Sequence, residues 1–425
     1  MKLYEHQEKA LEACEGRNRV AFYHDMGLGK TYTGSEKMEL LGGHYNLVIC
    51  QKSKVIDWVS HFKDNYPDYQ VYDMTKTKDF QSFWMTGLHD KFLQKYYVCI
   101  INYDLIWRRG ELHSIYWDTL MLDESSMIQN ETAKRTKAIM KLKTDNVILL
   151  SGTPTGGKYE KLYSQLKLLG MPMNKKEYYD TFVETYQMPM GRFSVPIVCG
   201  YKNIGKLKRM MRRLGCQFLK TEEVLRLPSQ TFSEIGIAPP KEYKKFVKNH
   251  LVTVDGHELV GDNSLKQMLG ERQLCGQYCS EKYQAFSDLL DSTEDRLIVF
   301  YNFNEEYKRL AEICEKRKRT ISYVNGHARD LDAYEEDASS VTFIQYQAGA
   351  MGLNLQKANK IVYFSPTLSS ELYEQSKKRT HRIGQEKPCF YWNMICRGTV
   401  EEDIYAALSM RHDYTEQLFA KGGRT

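Results

Sequence analysis

Long apolar runs are missing from this chain of 425 residues. Its apolar runs, such as those at residues 147–150 and 297–300, have the length of a β-strand and are too short to cross a membrane. The N-terminal residues start directly in an amphipathic pattern and contain no apolar signal-peptide core. We therefore expect no membrane-spanning segment and no membrane partner.

Paired cysteines and zinc-ligand spacings are also missing. The ten cysteines are scattered singly, no C-x-x-C occurs, and the closest two are Cys275 and Cys279. This usage is typical of reduced core thiols in an intracellular protein. We expect a cytoplasmic location in a bacterial or phage-infected cell, or a nuclear one if the source is eukaryotic.

Neither charge sign is in large excess, since the net charge is +6 with 27% charged residues. This composition is typical of a soluble globular protein, and the small surplus permits nucleic-acid binding without requiring it. Low-complexity tracts and internal repeats are absent from the sequence. A chain of this length is expected to form two domains, each with its own core.

Short runs rich in β-branched and aromatic residues alternate with helical stretches. They lie at residues 20–23, 47–50, 97–101, 119–122, 147–150, 297–301, 341–345, 361–364 and 390–394. Continuous apolar strands that alternate with helices indicate parallel sheets covered on both faces. The predicted fold class is α/β, with two lobes of parallel sheet flanked by helices.

The patterning breaks just before residue 229, so we place the first lobe at residues 1–228 and the second at 229–425. Residues from about 171 to 215 fit neither sheet and are predicted to form a small helical insertion. A helical segment is also predicted for about 240–285, at the start of the second lobe.

A basic cluster lies inside the predicted insertion. Its members are Lys206, Lys208, Arg209, Arg212 and Arg213. Two interpretations stay open, a solvated helix face and a contact to nucleic-acid phosphates.

A phosphate-binding loop is indicated between the first predicted strand and a helical pattern. Its residues are Gly27, Leu28, Gly29, Lys30 and Thr31. The glycines let the backbone wrap closely round phosphates, Lys30 would reach the β- and γ-phosphates of ATP, and Thr31 would bind Mg²⁺. The first glycine of the strict pattern is His24 here, and a chance Gly-Lys-Thr is the alternative.

Polar side chains follow two further predicted strands. Asp123 would hold Mg²⁺, and Glu124 would orient and deprotonate the attacking water; the alternative is an acidic helix cap. Ser151 and Thr153 suit sensing of the γ-phosphate, with an ordinary capped turn as the alternative. Near the N-terminus, Gln7 has a two-sided amide that could read an adenine edge.

Two arginines, Arg379 and Arg382, stand three residues apart and would share one face if their segment is helical. A phosphate loop in one half and an arginine pair in the other suggest ATP held between two domains. Such a site can drive motion, because hydrolysis closes and opens the cleft. A basic surface helix is the alternative.

Taken together and in order, these segments resemble the Swi/Snf-like ATPases of helicase superfamily two. The matching residues are 3–7, 25–31, 47–52 with Trp58, 102–104, 123–126, 150–154, 298–303, 347–355, 375–385 and 398–402. They span almost the whole chain, and RTHRIGQ joined to GTVEE is the most specific combination. The resemblance implies two tandem RecA-like lobes that use ATP and Mg²⁺.

The resemblance also implies roles for single residues. Arg379 and Arg382 would be arginine fingers, and Gln375 would contact the γ-phosphate or link it to the nucleic-acid site. Coupling is assigned to Ser151, Thr153 and Gly352. The nucleic-acid track is assigned to Lys52, Ser53, Tyr103 and Asn354. Because such contacts go mainly to the phosphate backbone, binding is expected to be largely independent of sequence.

The chain departs from the family pattern at Gln51, Ser125-Ser126 and Gly156-Gly157. Its insertions are short and leave no room for accessory modules, which favours a compact translocase of bacterial or viral type.

We expect a DNA-stimulated ATPase that moves along double-stranded DNA. One alternative is a strand-separating helicase on single-stranded DNA or RNA, and another is a nucleotide-dependent DNA clamp with little turnover. A protein partner, such as a nuclease or a replication protein, is left open.

Overall fold

The computed structural model describes residues 3–87, 95–190, 193–348 and 353–419. The described chain divides into two compact units, a first one up to Val224 and a second one over Leu225–His412, and residues 413–419 group with the first. All ten cysteines lie in described parts of the chain and are free; nine are buried and Cys199 is exposed. Among the described helices, none combines the length and apolarity needed to cross a bilayer.

The first unit is built on a parallel sheet. Its strands are β1 Arg19–His24, β2 Tyr45–Cys50, β3 Tyr69–Asp73, β4 Tyr96–Asn102, β5 Tyr116–Asp123, β6 Lys143–Leu150, β7 Val183–Met190, β8 Phe193–Tyr201 and β9 Cys216–Leu219. Its helices are α1 Glu5–Glu12, α2 Lys30–Leu41, α3 Val55–Asn65, α4 Thr77–Ser82, α5 Lys134–Ile139, α6 Tyr163–Leu168, α7 Lys175–Phe182 and α8 Ile204–Arg213. Seven of the described strands pair in the order β3-β4-β2-β5-β6-β1-β9, and every neighbouring pair is parallel.

Both faces of this sheet are covered, because successive side chains of a strand point to opposite sides. In β1, Ala21 and Tyr23 belong to one apolar core, and Val20 and Phe22 to the other. Full burial of a side chain such as Val20 or Phe22 contributes roughly 1.5–3 kcal/mol. The continuous apolar runs seen in the sequence are therefore central strands between two layers.

The second unit repeats the arrangement. Its strands are β10 Gln230–Ile237, β11 Leu251–Val254, β12 His257–Val260, β13 Leu297–Tyr301, β14 Ile321–Val324, β15 Arg329–Asp330, β16 Val341–Gln345, β17 Lys360–Tyr363 and β18 Cys389–Cys396. Its helices are α9 Lys241–Asn249, α10 Ser264–Gly276, α11 Ser280–Asp291, α12 Asn304–Lys316, α13 Asp332–Glu336, α14 Ser370–Lys377 and α15 Val400–Phe419. The described strands pair as β10-β18-β17-β13-β16-β14-β15, in parallel except for β14 with β15.

Two segments predicted as helical contain helices and, between them, a β-hairpin that the sequence analysis did not predict. Between α7 and α8, strands β7 and β8 pair with each other in an antiparallel ladder. Between α9 and α10, β11 and β12 do the same across Asp255-Gly256. The physical reason is local. Pro189 and Pro196 cannot sit inside a helix, and Asp-Gly after the β-branched run at residues 252–254 favours a tight hairpin turn.

Candidate functional site

The loop after β1 forms the cradle that the sequence predicted. Gly27 and Gly29 have φ of 88° and 70°, a region that glycine enters without steric cost. Gly29 is the N-cap of α2, whose first turn begins at Lys30. The amides at this helix end face outward without helical partners, which suits an anion such as phosphate.

Helix α1 closes one side of this loop. The buried Gln7 donates from Nε2 to the Gly29 carbonyl at 3.1 Å, and its Oε1 accepts from the Tyr4 amide at 2.9 Å. A Cβ added at Gly29 would lie 2.4 Å from Gln7 Nε2, so a larger residue there would have to displace the Gln7 amide. His6 also contacts the Leu28 carbonyl at 3.0 Å. Both ends of the Gln7 amide are therefore engaged by the chain, and the adenine contact stays a prediction.

Lys30 lies between the loop and the segment after β6. Its Nζ donates to the carbonyls of His24 at 2.8 Å and Asp25 at 3.0 Å. A Cβ at Gly152 would lie 3.4 Å from the same nitrogen. The partly buried Thr31 follows in the first turn of α2. The fold thus brings two predicted motifs, more than 100 residues apart in sequence, against one ammonium group.

Strand β5 ends at the acidic pair. Trp58 Nε1 donates to Asp123 Oδ2 at 2.8 Å. Glu124 Oε1 accepts from the hydroxyls of Ser151 at 2.8 Å and Ser126 at 3.0 Å. Burial raises the pKa of both carboxyls, and the Lys30 charge opposes this shift in each. The second serine after the acids therefore contacts the carboxylate that is predicted to act as the base.

The backbone at Glu124 adopts a left-handed conformation with φ of 56°. Such a conformation costs on the order of 1–3 kcal/mol for a residue other than glycine and persists where surrounding contacts enforce it. Tyr103 supplies one of these contacts, since its hydroxyl donates to the carbonyls of Asp123 at 2.9 Å and Glu124 at 3.3 Å. Tyr103 was predicted to line the nucleic-acid track, but its side chain is only 1% exposed and lies beneath the acids.

The segment after β6 completes this cluster. Ser151 is fully buried, and its hydroxyl both donates to Glu124 and accepts from the Thr153 amide at 3.2 Å. The Thr153 hydroxyl is buried without a hydrogen-bond partner among the described residues. An unsatisfied buried hydroxyl is uncommon, and this one lies beside a phosphate-type loop.

Gln165 is a residue that sequence reasoning missed. It is fully buried in α6 and accepts at Oε1 from Tyr23 at 3.0 Å and Ser125 at 2.8 Å. Its Nε2 donates to the Pro154 carbonyl at 2.7 Å. One amide therefore ties the strand before the phosphate loop to the two segments that hold Glu124. The available signal was a polar residue within the apolar spacing of Leu162, Leu166 and Leu169.

Lys52 and Ser53 are exposed on a short 3₁₀ turn that follows β2. Strand β2 pairs with β5, so this turn and the acids leave the same carboxyl edge of the sheet. Lys52 and Ser53 must be exposed if they are to contact the phosphate backbone of a nucleic acid, as predicted.

In the second unit, the arginine pair lies beyond the end of α14, so the shared helix face is not formed. The helix ends at Lys377, whose carbonyl accepts from the Tyr391 hydroxyl at 3.2 Å and the Thr380 hydroxyl at 3.3 Å. Arg379 is buried in the turn that follows, and its carbonyl accepts from the Leu355 amide at 3.0 Å. The Lys377 carbonyl also accepts from the His381 amide at 3.2 Å, so side-chain and backbone donors together cap the end of the helix.

Gln375 contacts its own helix, whereas Arg382 contacts Asn354. Gln375 is buried on α14 and donates to Glu371 at 3.4 Å. The half-buried Arg382 donates to the side chain of the exposed Asn354, and burial lowers the pKa of its guanidinium. The predicted finger and the predicted nucleic-acid contact therefore touch each other. Gly352 lies outside the described residues.

The SNF2-related domain matches residues 6–278, and the helicase conserved C-terminal domain matches residues 281–384. The chain belongs to the SNF2-related family. The SWI/SNF-related matrix-associated actin-dependent regulator of chromatin subfamily A member 1 of Mus musculus is 23% identical over 92% of this chain and 40% of its own length. The Bacillus subtilis protein YwqA, provisionally named an ATP-dependent helicase/translocase, is 24% identical over 93% of this chain and 46% of its own length.

This SNF2-related chain thus spans less than half the length of either relative. A solved structure titled Sulfolobus solfataricus SWI2/SNF2 ATPase core in complex with dsDNA is 20% identical, has a TM-score of 0.43, and is matched over 98% of this chain and 92% of that one. The predicted resemblance is confirmed, and so is the predicted α/β fold class with two units of mostly parallel sheet flanked by helices.

Proposed function

We propose that this SNF2-related ATPase is a motor that translocates along double-stranded DNA. The observation that carries the proposal is the cluster at the carboxyl edge of the first sheet. There the phosphate loop, the acidic pair and the Ser151 segment meet around Lys30 and Glu124. Hydrolysis of ATP needs a phosphate cradle, a cation and a base in this proximity.

The first unit holds the nucleotide in this proposal. Gly27, Leu28 and Gly29 supply backbone to the phosphates, and Lys30 exchanges its two carbonyl contacts for phosphate oxygens. Glu124 orients the attacking water and accepts its proton, because its carboxylate is aligned by two hydroxyls. Ser151 and Thr153 then report the presence of the γ-phosphate to the acid.

Mg²⁺ fits the residues present. The Thr31 hydroxyl and the Asp123 carboxylate are hard oxygen donors of the type that this ion prefers. Burial raises the pKa of Asp123, so a nearby cation would stabilise its charged form. When bound, the ion would supply charge neutralisation on the phosphates.

Arg379 and Arg382 of the second unit are proposed to stabilise charge on the transferring phosphoryl group, and Gln375 of α14 is proposed to contact the γ-phosphate. Arg382 would have to leave Asn354 to do so. Because Asn354 is itself proposed to contact DNA, this hydrogen bond would couple DNA binding to ATP hydrolysis. Lys52, Ser53 and Asn354 are exposed and are proposed to contact the DNA backbone.

The test is the steady-state ATPase rate without nucleic acid and with duplex DNA, single-stranded DNA or duplex RNA. We expect strong stimulation by duplex DNA that weakens with salt, followed by displacement of a triplex-forming strand. Glu124→Gln is the matched variant, which should keep binding and lose turnover. Stimulation by single strands alone would contradict duplex translocation, and stimulated turnover in Glu124→Gln would contradict the assigned base.

Strand separation is a second candidate, favoured by the β7–β8 hairpin. This ribbon pairs only with itself among the described strands, and it exposes Tyr186 and Met188 at 52% and 45%. An exposed ribbon of this kind could stand at a fork as a wedge. Release of a labelled strand from a forked duplex, lost on Tyr186→Ala, would favour unwinding over translocation.

A further inference from the structure

Helix α8 has an unusual charge distribution. Five of its ten residues are cations and none is acidic. Leu207 and Met211 are buried in the first unit, which holds the helix against the protein by one face. The opposite side presents Lys206, Arg209 and Arg213 to solvent.

The three exposed cations follow each other at helical spacing. Positions i, i+3 and i+7 lie along one stripe of a helix, and a rise of about 1.5 Å per residue spreads them over roughly 10 Å. Phosphates of one DNA strand advance by about 3.4 Å along the axis, so the stripe matches about three of them. Lys206, Arg209 and Arg213 form no ion pair among the described residues.

Further positive charge lies at the same helix. Arg17 donates from Nη1 to the Arg213 carbonyl at 2.8 Å, which adds a cation at the C-terminal end. Lys208 has a lowered pKa because it is partly buried and lies near the Arg212 charge. Like charges held together weaken a fold, and an anionic partner relieves that repulsion.

We propose that the cationic face of α8 is a contact surface for the phosphate backbone of double-stranded DNA. This inference rests on the proposed function and adds a surface outside the segments that the family resemblance assigned. A protein-binding surface would present exposed aromatic or apolar anchors, whereas the exposed positions of this face are cations and glycine. Contact with phosphates needs only charge, and it is independent of sequence.

The position of α8 connects this surface to the phosphate loop. The chain leaves α8 through Gly215 into β9, which pairs with β1 in parallel. Beyond β9, the amide and hydroxyl of Thr221 both donate to Asp25 Oδ2 at 3.1 Å, and the Asp25 amide donates to Leu219 at 2.8 Å. Binding of DNA at α8 would therefore act, through β9, on the strand β1 that precedes the phosphate loop.

The test compares two triple variants of the whole chain by fluorescence anisotropy with a labelled duplex across a salt series. Lys206→Ala/Arg209→Ala/Arg213→Ala removes the stripe. Lys244→Ala/Lys245→Ala/Lys248→Ala removes equal charge from exposed positions of α9. We expect the α8 variant to bind at least tenfold more weakly, with a salt slope smaller by roughly two to three, since each phosphate contact contributes about 0.9. The α9 variant should bind within about threefold of the parent protein.

An unchanged affinity and slope in the α8 variant would overturn the inference, and so would equal weakening in both variants, which would indicate total charge. Lys206→Arg/Arg209→Lys/Arg213→Lys keeps the charge and should bind like the parent protein, which separates lost contacts from lost folding. DNA binding that depends on α8 without any stimulation of ATP turnover would overturn the proposed function and leave this inference standing. If the α8 variant shows DNA-stimulated ATP turnover at the same DNA concentrations as the parent protein, the α8 inference is overturned and the proposed function stands.

Discussion

Glu124 combines a left-handed backbone with a buried carboxylate. As the proposed base, it should set the acid side of the dependence of kcat on pH. Burial raises its pKa above 4.5, so the charged form that accepts a proton is lost as pH falls through the raised value. We expect kcat to decline on acidification at a pH above that of an ordinary glutamate. The measurement is kcat against pH at saturating ATP and DNA.

The variant Ser126→Ala tests whether Glu124 sets the acid limb of kcat against pH. Its hydroxyl stabilises the charged carboxylate, so its removal should move the acid limb to higher pH, while Ser126→Thr should keep the parental limb. Identical limbs in Ser126→Ala and the parent protein would mean that another group limits the rate.

Gln165 is the residue whose loss should spread furthest through the site. Gln165→Met keeps the volume but leaves the Tyr23 and Ser125 hydroxyls and the Pro154 carbonyl without their buried partner. Each unsatisfied group costs about 1–3 kcal/mol, so we expect a lower thermal unfolding midpoint together with a lower kcat. Differential scanning calorimetry and the ATPase assay check both. If both values equal those of the parent protein, the hydrogen bonds of Gln165 do not hold the site together as inferred.

Most residues of the candidate site in the first unit could be predicted from short sequence motifs. A loop of fixed spacing and acids at a strand end are visible in sequence because their chemistry needs neighbours in the chain. The burial of Tyr103 and the bonds of Gln165 depend on side chains distant in sequence. No periodicity encodes such contacts.

At the scale of the elements, the junction from α8 to β9 leaves little space for a side chain at Gly215. Gly215 has φ of +83°, and a Cβ there would lie 2.6 Å from the Arg19 carbonyl. Gly170 has φ of +95° but open space around it, so Gly170→Ala isolates the backbone strain of about 1–2 kcal/mol. We expect Gly215→Ala to lower the thermal midpoint more than Gly170→Ala. Equal losses would mean that the contact to β1 relaxes without cost.

The central strands were predictable because their apolar runs are continuous, whereas the edge strands were not. β10 is exposed along most of its length and lacks an apolar run, although it pairs with β18 over eight residues. Its pairing comes from backbone hydrogen bonds, which any sequence can supply. The hairpin signal at Asp255-Gly256 was present and was outweighed by the helical patterns on either side.

At the scale of the molecule, each unit has its own apolar cores on the two faces of its sheet. In the second unit, the buried Lys282 ammonium lies 2.7 Å from both oxygens of Glu401. Burial works against this charge, but Glu401 together with Cys396 and Cys275 outweighs it, so the pKa of Lys282 is raised. This pair joins α11 to α15 within the core.

Lys282→Met leaves a buried carboxylate alone and should cost about 3–5 kcal/mol, whereas adding Glu401→Gln should recover part of the loss. Hydrogen exchange by mass spectrometry should show faster exchange in peptides of residues 225–412 and parental exchange in residues 3–87. Uniformly faster exchange across both ranges would contradict separate cores.

The exposed Cys199 of strand β8 has a practical consequence. The other nine cysteines are buried, so a maleimide dye should couple at this hairpin in the unmodified protein. A fluorophore placed there needs no substitution of other thiols, which spares the packed cores from cavity-forming changes. The natural sequence therefore offers a single attachment point from which individual molecules could be watched on stretched DNA.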